Sequence, residues 1–168
     1  LSGIKTIPGD YATINAAIID LNAVGVGAGG VTFNVAAGHT ESVSDSIAVT
    51  ATGTEANQII FQKSGAGANP IITRTDAGSK STSALGGFGD AVIKLYSTDF
   101  ITFDGIDLAA SQSTIEYGFN TLKTPTDGCK NVTFKNCVIT MTKGTSAYVM
   151  GIYIGNGSTN TGSATGVT

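Results

Sequence analysis

The 168-residue chain has the length of one domain, and its 41% hydrophobic residues are enough for a core, while only 12% are charged against roughly a quarter in ordinary soluble domains. Nine Lys and Arg in all, Arg74 the single arginine, and a net charge of −3 exclude the clustered basic footprint of a nucleic-acid binder. No apolar run reaches the length needed to span a bilayer, so membrane insertion is not expected.

The first predicted element is a helix over residues 10–24. Asp10 is placed to cap it, and Ile14, Ala17, Ile18 and Leu21 form one apolar stripe at helical spacing. Gly25 stands where a glycine ends a helix, and Gly27, Ala28, Gly29 and Gly30 forbid its continuation. This glycine run lacks the strand–loop–helix order of a phosphate loop and reads as a linker. After Gly30 the pattern becomes short alternating strands: Val31–Val35, Ile47–Thr50, Gln58–Gln62, Ile71–Arg74, Val92–Leu95, Ile101–Phe103, Val132–Phe134 and Ile152–Ile154. No second helix intervenes. Parallel strands ordinarily need crossover helices, and a chain that coils on itself avoids them. The organisation expected is therefore an N-terminal segment with a capping helix over 1–30 and stacked β rungs over 31–168.

A repeat supports this. Ile101-Thr102-Phe103-Asp104-Gly105-Ile106-Asp107-Leu108 aligns with Val132-Thr133-Phe134-Lys135-Asn136-Cys137-Val138-Ile139 at an offset of 31 residues. Apolar residues coincide at the first, third, sixth and eighth positions. The fifth pairs Gly105 with Asn136, the residue types that most readily take a left-handed bend. Gly166-Val167-Thr168 restarts the phrase, so the chain is expected to stop in mid-rung. A period of this length with one structural unit per repeat marks a solenoid, whose rungs bury their faces only by stacking.

These residues resemble the pectin lyase-like superfamily of right-handed parallel β-helices. Asn131 to Ile139 is similar to its generic rung, and Asp10 to Ile18 followed by Val31 to Gly38 resembles the cap and first strand of pectin methylesterases. The resemblance is closer to large bacterial surface proteins exported by type IX secretion. It implies an all-β fold, a right-handed parallel β-helix with an N-terminal capping α-helix, in a secreted or cell-surface protein. That fold hosts enzymes, adhesins and passive stalks alike.

The catalytic sets of the family do not carry over. Asp99-Phe100-Ile101 superficially matches the methylesterase Asp-Phe-Ile-Phe-Gly motif, but Thr102 intervenes, no Gln-Asp pair lies upstream, and Arg74 is in the wrong context. Asp99, Asp104 and Asp107 are the nearest approach to a calcium-binding carboxylate cluster. The next rung answers with Lys130 beneath Asp99 and Lys135 beneath Asp104, which reads as cross-rung ion pairing. His39 has no second ligand nearby and reads as a solvated loop residue; Ser42, Ser44 and Ser46 have no partner base. Cys129 and Cys137 are expected to remain free thiols, with Cys137 in the core. Thr102, Thr133 and Thr168 form a ladder able to face a glycan, although threonine is simply a good β-surface residue. Tyr96, Tyr117, Tyr148 and Tyr153 either stack on sugar rings or fill the flanks of rungs.

No catalytic, cofactor or metal residue is therefore assigned. The function expected is a non-catalytic secreted or cell-surface module, a structural stalk or an adhesin-like binder of polysaccharide or surface glycan, with secretion-machinery or surface proteins as further partners. The alternative is a polysaccharide lyase or carbohydrate esterase whose catalytic rungs lie beyond Thr168.

Overall fold

A computed structural model describes residues 1–78, 89–124, 126–144 and 148–155. The described residues contain one helix and 13 strands. In chain order they are β1 (Gly3–Ile7), α1 (Ile14–Val24), β2 (Val31–Ala36), β3 (Thr40–Val43), β4 (Ile47–Val49), β5 (Ile59–Ser64), β6 (Ile71–Arg74), β7 (Ala91–Tyr96), β8 (Ile101–Asp104), β9 (Asp107–Ala110), β10 (Tyr117–Leu122), β11 (Val132–Lys135), β12 (Ile139–Met141) and β13 (Met150–Ile154). They form three sheets, ordered β1-β2-β5-β8-β11, β3-β6-β9-β12 and β4-β7-β10-β13, and every pairing between strands is parallel. From β2 onward the chain visits the three sheets in rotation. Val31 stands beside Ile59, Ile59 beside Ile101 and Ile101 beside Val132, so successive passes take 28, 42 and 31 residues.

Register turns sequence alternation into columns. In the first sheet Phe33, Phe61, Phe103 and Phe134 stack at centroid distances of 4.4, 5.4 and 6.1 Å with nearly parallel rings. Phe119 of the third sheet tilts against Phe103 and Phe134, and Tyr11 tilts against Phe33. Each such pair adds about 0.5–1.5 kcal/mol beyond its burial. Val31, Ile59 and Ile101 make a second column, and Ile72 and Leu108 of the second sheet meet Ile47, Ile93 and Leu95 of the third in one core. The two bends read from the repeat have the expected conformation, with φ of 67° at Gly105 and 56° at Asn136.

The helix buries the expected stripe, Ile14, Ala17, Ile18 and Leu21, and Gly25 closes it with φ 76° and an N–H bonded to the Leu21 carbonyl. Its start differs from the sequence expectation. Asp10 does not cap it, because the Asp10 carboxylate accepts from the backbone N–H and hydroxyl of Thr6, 2.7 and 2.8 Å away. Thr13 is the cap, its hydroxyl accepting from the Ala16 N–H. The Ile14 and Asn15 amides donate instead to the two carboxylate oxygens of Glu41, at 2.8 and 3.0 Å. Glu41 is 6% exposed and sits in a column continued by Ile72, Leu108 and Ile139. A buried carboxylate is tolerated there because exposed helix-terminal amides need an acceptor and carry the positive end of the helix dipole.

The strands β1, β3 and β10 were not read from the sequence. The last is buried at all six residues. The expected strand at Gly166-Val167-Thr168 and the third member of the threonine ladder, Thr168, lie outside the described residues.

Candidate functional site

The outward side of the first sheet carries two columns. One is Ile4, Thr32, Ile60, Thr102 and Thr133; the other is Thr6, Asn34, Gln62, Asp104 and Lys135. In the second column neighbours bond to each other. Gln62 donates to Asn34 at 2.9 Å, Asn136 donates to Asp104 at 2.7 Å, and Lys135 pairs with Asp104 at 3.2 Å. The Asn136 hydrogen bond, with Lys135 behind it, holds the Asp104 carboxyl below its usual value. This column holds the sheet and leaves little capacity for a ligand.

The first column ends differently. Beside Thr102 and Thr133 lies an open cleft of about 300 Å3, completed by Glu55, Gln58, Phe100 and Asn131. Reciprocal backbone bonds between Thr54 and Asn57 close the turn that carries Glu55. The cleft therefore offers a carboxylate, two amides and two hydroxyls around one half-buried aromatic ring.

Phe100 occupies its place against its backbone preference. The residues that precede β2, β5, β8 and β11 are Gly30, Gln58, Phe100 and Asn131, and three of the four have positive φ: 74°, 50° and 53° at Gly30, Phe100 and Asn131. Glycine and asparagine enter this region readily, whereas a bulky side chain costs roughly 1–2 kcal/mol there. The turn requires the conformation, since the Phe100 N–H donates to the Lys130 carbonyl and its own carbonyl accepts from Ile59, both at 3.0 Å. Nothing in that backbone role calls for an aromatic ring.

The residues singled out from sequence distribute as follows. Asp99 accepts the Lys130 backbone N–H at 2.7 Å, and Lys130 pairs through its ammonium with Asp127 at 2.6 Å, so the expected Lys130–Asp99 ion pair is replaced by a side-chain-to-backbone bond. The expected Lys135–Asp104 pair is present. Asp107 accepts from the Asn69 side chain and the Val138 N–H, each at 2.8 Å. The three acids are thus spent on separate hydrogen bonds, and among the described residues no three His, Cys, Asp or Glu side chains are grouped to hold a metal ion. His39 is half-buried rather than solvated, and its Nε2 is enclosed with no partner among the described residues. Ser46 donates to the Ala91 carbonyl and accepts from Arg74. Tyr117 and Tyr153 stack on one another at 4.9 Å and so fill a flank, while Tyr96 is 36% exposed. Both cysteines are free thiols; Cys129 is buried, and Cys137 packs against the core but is only half covered.

Arg74 is 2% exposed. Its guanidinium forks onto Asp76 at 2.6 and 2.9 Å, donates to Ser46 and to the Ala91 carbonyl, and lies 3.3 Å from Asp90. The Arg74 hydrogen bond holds Asp76 below its usual value. Every guanidinium nitrogen is committed, so Arg74 is a clasp between the end of β6 and the start of β7.

The cleft residues Phe100, Glu55 and Gln58 were missed by sequence reasoning. A signal existed, because the 31-residue offset sets Phe100 opposite Asn131. Comparison of the chain with protein-family models, with curated proteins and with solved structures gave no match. No described helix is long and apolar enough to cross a membrane.

Proposed function

We propose that the chain is part of a right-handed parallel β-helix of the pectin lyase-like kind, and that it serves as a non-catalytic, extracellular or cell-surface module that binds polysaccharide or surface glycan in the Phe100 cleft. The rotation of the chain through three parallel sheets supports the helix, since crossovers between parallel strands are overwhelmingly right-handed. Export through type IX secretion rests on the sequence resemblance alone.

The observation that carries the binding role is an aromatic residue held in a conformation suited to glycine or asparagine, lining a cleft together with Thr102, Thr133, Gln58, Asn131 and Glu55. Sugar rings present apolar C–H faces that stack on aromatic rings and equatorial hydroxyls that exchange hydrogen bonds with amides, hydroxyls and carboxylates. Strained backbone retained against its cost points to a use for the side chain.

Affinity electrophoresis through gels containing soluble polygalacturonate, mannan or β-glucan tests this. Retardation by at least one polymer, lost on Phe100→Asn, is the expected result. Equal mobility of the two proteins in every gel refutes the cleft. Release of unsaturated or de-esterified products during the same incubations would transfer the assignment to the enzyme alternative.

A further inference from the structure

The three sheets are finished differently at their N-terminal ends. In the first, β1 lies in register along β2 from Gly3 beside Val31 to Ile7 beside Val35. In the third, α1 lies over β4, and the Asn22 amide donates to the Ala48 carbonyl at 2.7 Å while accepting from the Thr50 and Ala51 amides at 2.9 and 3.1 Å. One strand is thus covered by another strand and one by a side chain that imitates a strand.

The end strand of the second sheet, β3, receives neither. Its inner side is bonded to β6, with the Ile71 N–H on the His39 carbonyl and the Thr75 N–H on the Val43 carbonyl, both at 2.9 Å. In a parallel ladder alternate residues face the same neighbour. His39, Glu41 and Val43 therefore face β6, and the backbone N–H and C=O groups of Thr40 and Ser42 face away from it. No hydrogen bond reaches those groups among the described residues. Of the protections usual for a free edge, β3 has shortness and the inward charge of Glu41 but no lysine, proline or bulge, and its outward side chains are small and hydroxylated.

This edge lines a cleft of about 420 Å3 shared with the start of α1, walled by Thr13, Asn15, Thr40, Ser42, Glu41 and Asp45. Of the two carboxylates, Glu41 is buried and spent on the helix amides, whereas the Asp45 side chain is 89% exposed with one oxygen 3.7 Å from Arg74; among the described residues no lysine, arginine or histidine lines the cleft. The exposed Asp45 carboxylate favours a basic occupant over an acidic one.

We propose that the β3 edge docks an extended, basic peptide segment of a partner protein as an added strand of the second sheet. Main-chain bonds to Thr40 and Ser42 supply affinity, as in other strand-addition complexes, and the exposed Asp45 carboxylate supplies the preference for lysine or arginine beside it. The site is separate from the Phe100 cleft and does not depend on the glycan reading.

The test uses the intact chain and a fluorescent octapeptide alternating Val with Lys and Thr, followed by anisotropy and by backbone amide exchange. The amides of Thr40 and Ser42 are expected to exchange rapidly in the free chain and to become protected with the peptide. Replacing Lys by Glu in the peptide, or methylating the peptide nitrogens that face β3, is expected to weaken binding about tenfold or more. Ser42→Pro removes an outward N–H without touching the β6 ladder, so it is expected to weaken binding likewise while preserving the fold. Absence of binding by the basic peptide, equal binding by the acidic or methylated one, or unchanged affinity in a folded Ser42→Pro chain overturns the proposal. So does protection of the Thr40 and Ser42 amides in the free chain, which would show the edge already filled by its own residues or by a second copy. If Ser42→Pro fails to fold, the methylated peptide decides.

Discussion

Replacing Phe100 with asparagine separates the backbone role of that residue from the role of its ring. Asparagine enters the left-handed region with little strain, so the substitution recovers most of the roughly 1–2 kcal/mol that a bulky residue costs there. It also gives up the burial of a half-covered ring. Full burial of phenylalanine contributes up to about 3 kcal/mol, so half of it is worth about 1.5 kcal/mol. The two terms nearly cancel, and the variant should unfold within about 1 kcal/mol of the parent, a change of about 2–4 °C in melting temperature for a chain of this length. Phe103, stacked between Phe61 and Phe134 and fully buried, is the contrast: Phe103→Ala should cost about 3–5 kcal/mol. Urea unfolding of both variants, beside gel retardation of Phe100→Asn, measures stability and binding on the same proteins. Loss of several kcal/mol by Phe100→Asn would make the ring an ordinary core residue and remove the reason for placing a ligand on it.

The remaining expectations concern the joints of the fold. Glu41→Ala strands the Ile14 and Asn15 amides without their acceptor and should destabilise the chain by about 1–3 kcal/mol, with exchange of those two amides accelerated; unchanged exchange would show that the helix start does not depend on β3. Asp76 and Asp104 both titrate below their ordinary value of 3.8 in the folded chain. Their contribution is therefore complete above the unfolded value and lost as pH falls through it toward the folded values, so urea midpoints should decline between about pH 5 and pH 3, and a flat profile there would contradict the assignment. Burial raises both thiols, Cys129 and Cys137 alike. Mass spectrometry without reduction should find two alkylatable thiols under denaturation, with half-covered Cys137 labelled first in the native chain.

Residues whose side chains alone decide their place were legible in the sequence. The stripe Ile14, Ala17, Ile18 and Leu21, the closing Gly25, the bends at Gly105 and Asn136 and the Ile101-to-Val132 register all follow from apolar spacing or from a residue type suited to positive φ. The earlier registers were hidden because passes of 28 and 42 residues share no fixed period with the 31-residue one. Strand β3 reads Thr-Glu-Ser-Val, with a carboxylate where alternation wants an apolar residue, and only the helix amides packed on it make Glu41 an inward residue. Strand β10 reads Tyr-Gly-Phe-Asn-Thr-Leu, without the β-branched run that marks a strand. Its Gly118 is required by packing, since a Cβ there would come within 2.5 Å of Ile139 and of the Gly151 carbonyl. Asp10 was misassigned because local competition between Thr6 and the helix for one carboxylate is invisible in spacing.

The other inward charge, Arg74, shows how the fold keeps its register across unequal passes. It stands in the column Val43, Arg74, Ala110 and Met141, where its neighbour Ala110 is small. The connection from β6 to β7 is the one that lengthens the second pass, and Arg74 grips both of its ends, Asp76 on leaving and Asp90 and Ala91 on return. A one-residue slip of β6 would turn the guanidinium outward and expose the inward column to Thr73 or Thr75. Arg74→Met keeps the volume but withdraws the guanidinium from Asp76 and Asp90, and removal of one side of such a buried pair costs about 3–5 kcal/mol. Adding Asp76→Asn to Arg74→Met should recover part of that loss, because the uncompensated carboxylate, rather than the missing attraction, carries most of the penalty. Urea unfolding of the two variants measures this directly. If Arg74→Met alone is as stable as the parent, the clasp contributes nothing to holding the long connection, and the stacked aromatic column must fix the register by itself.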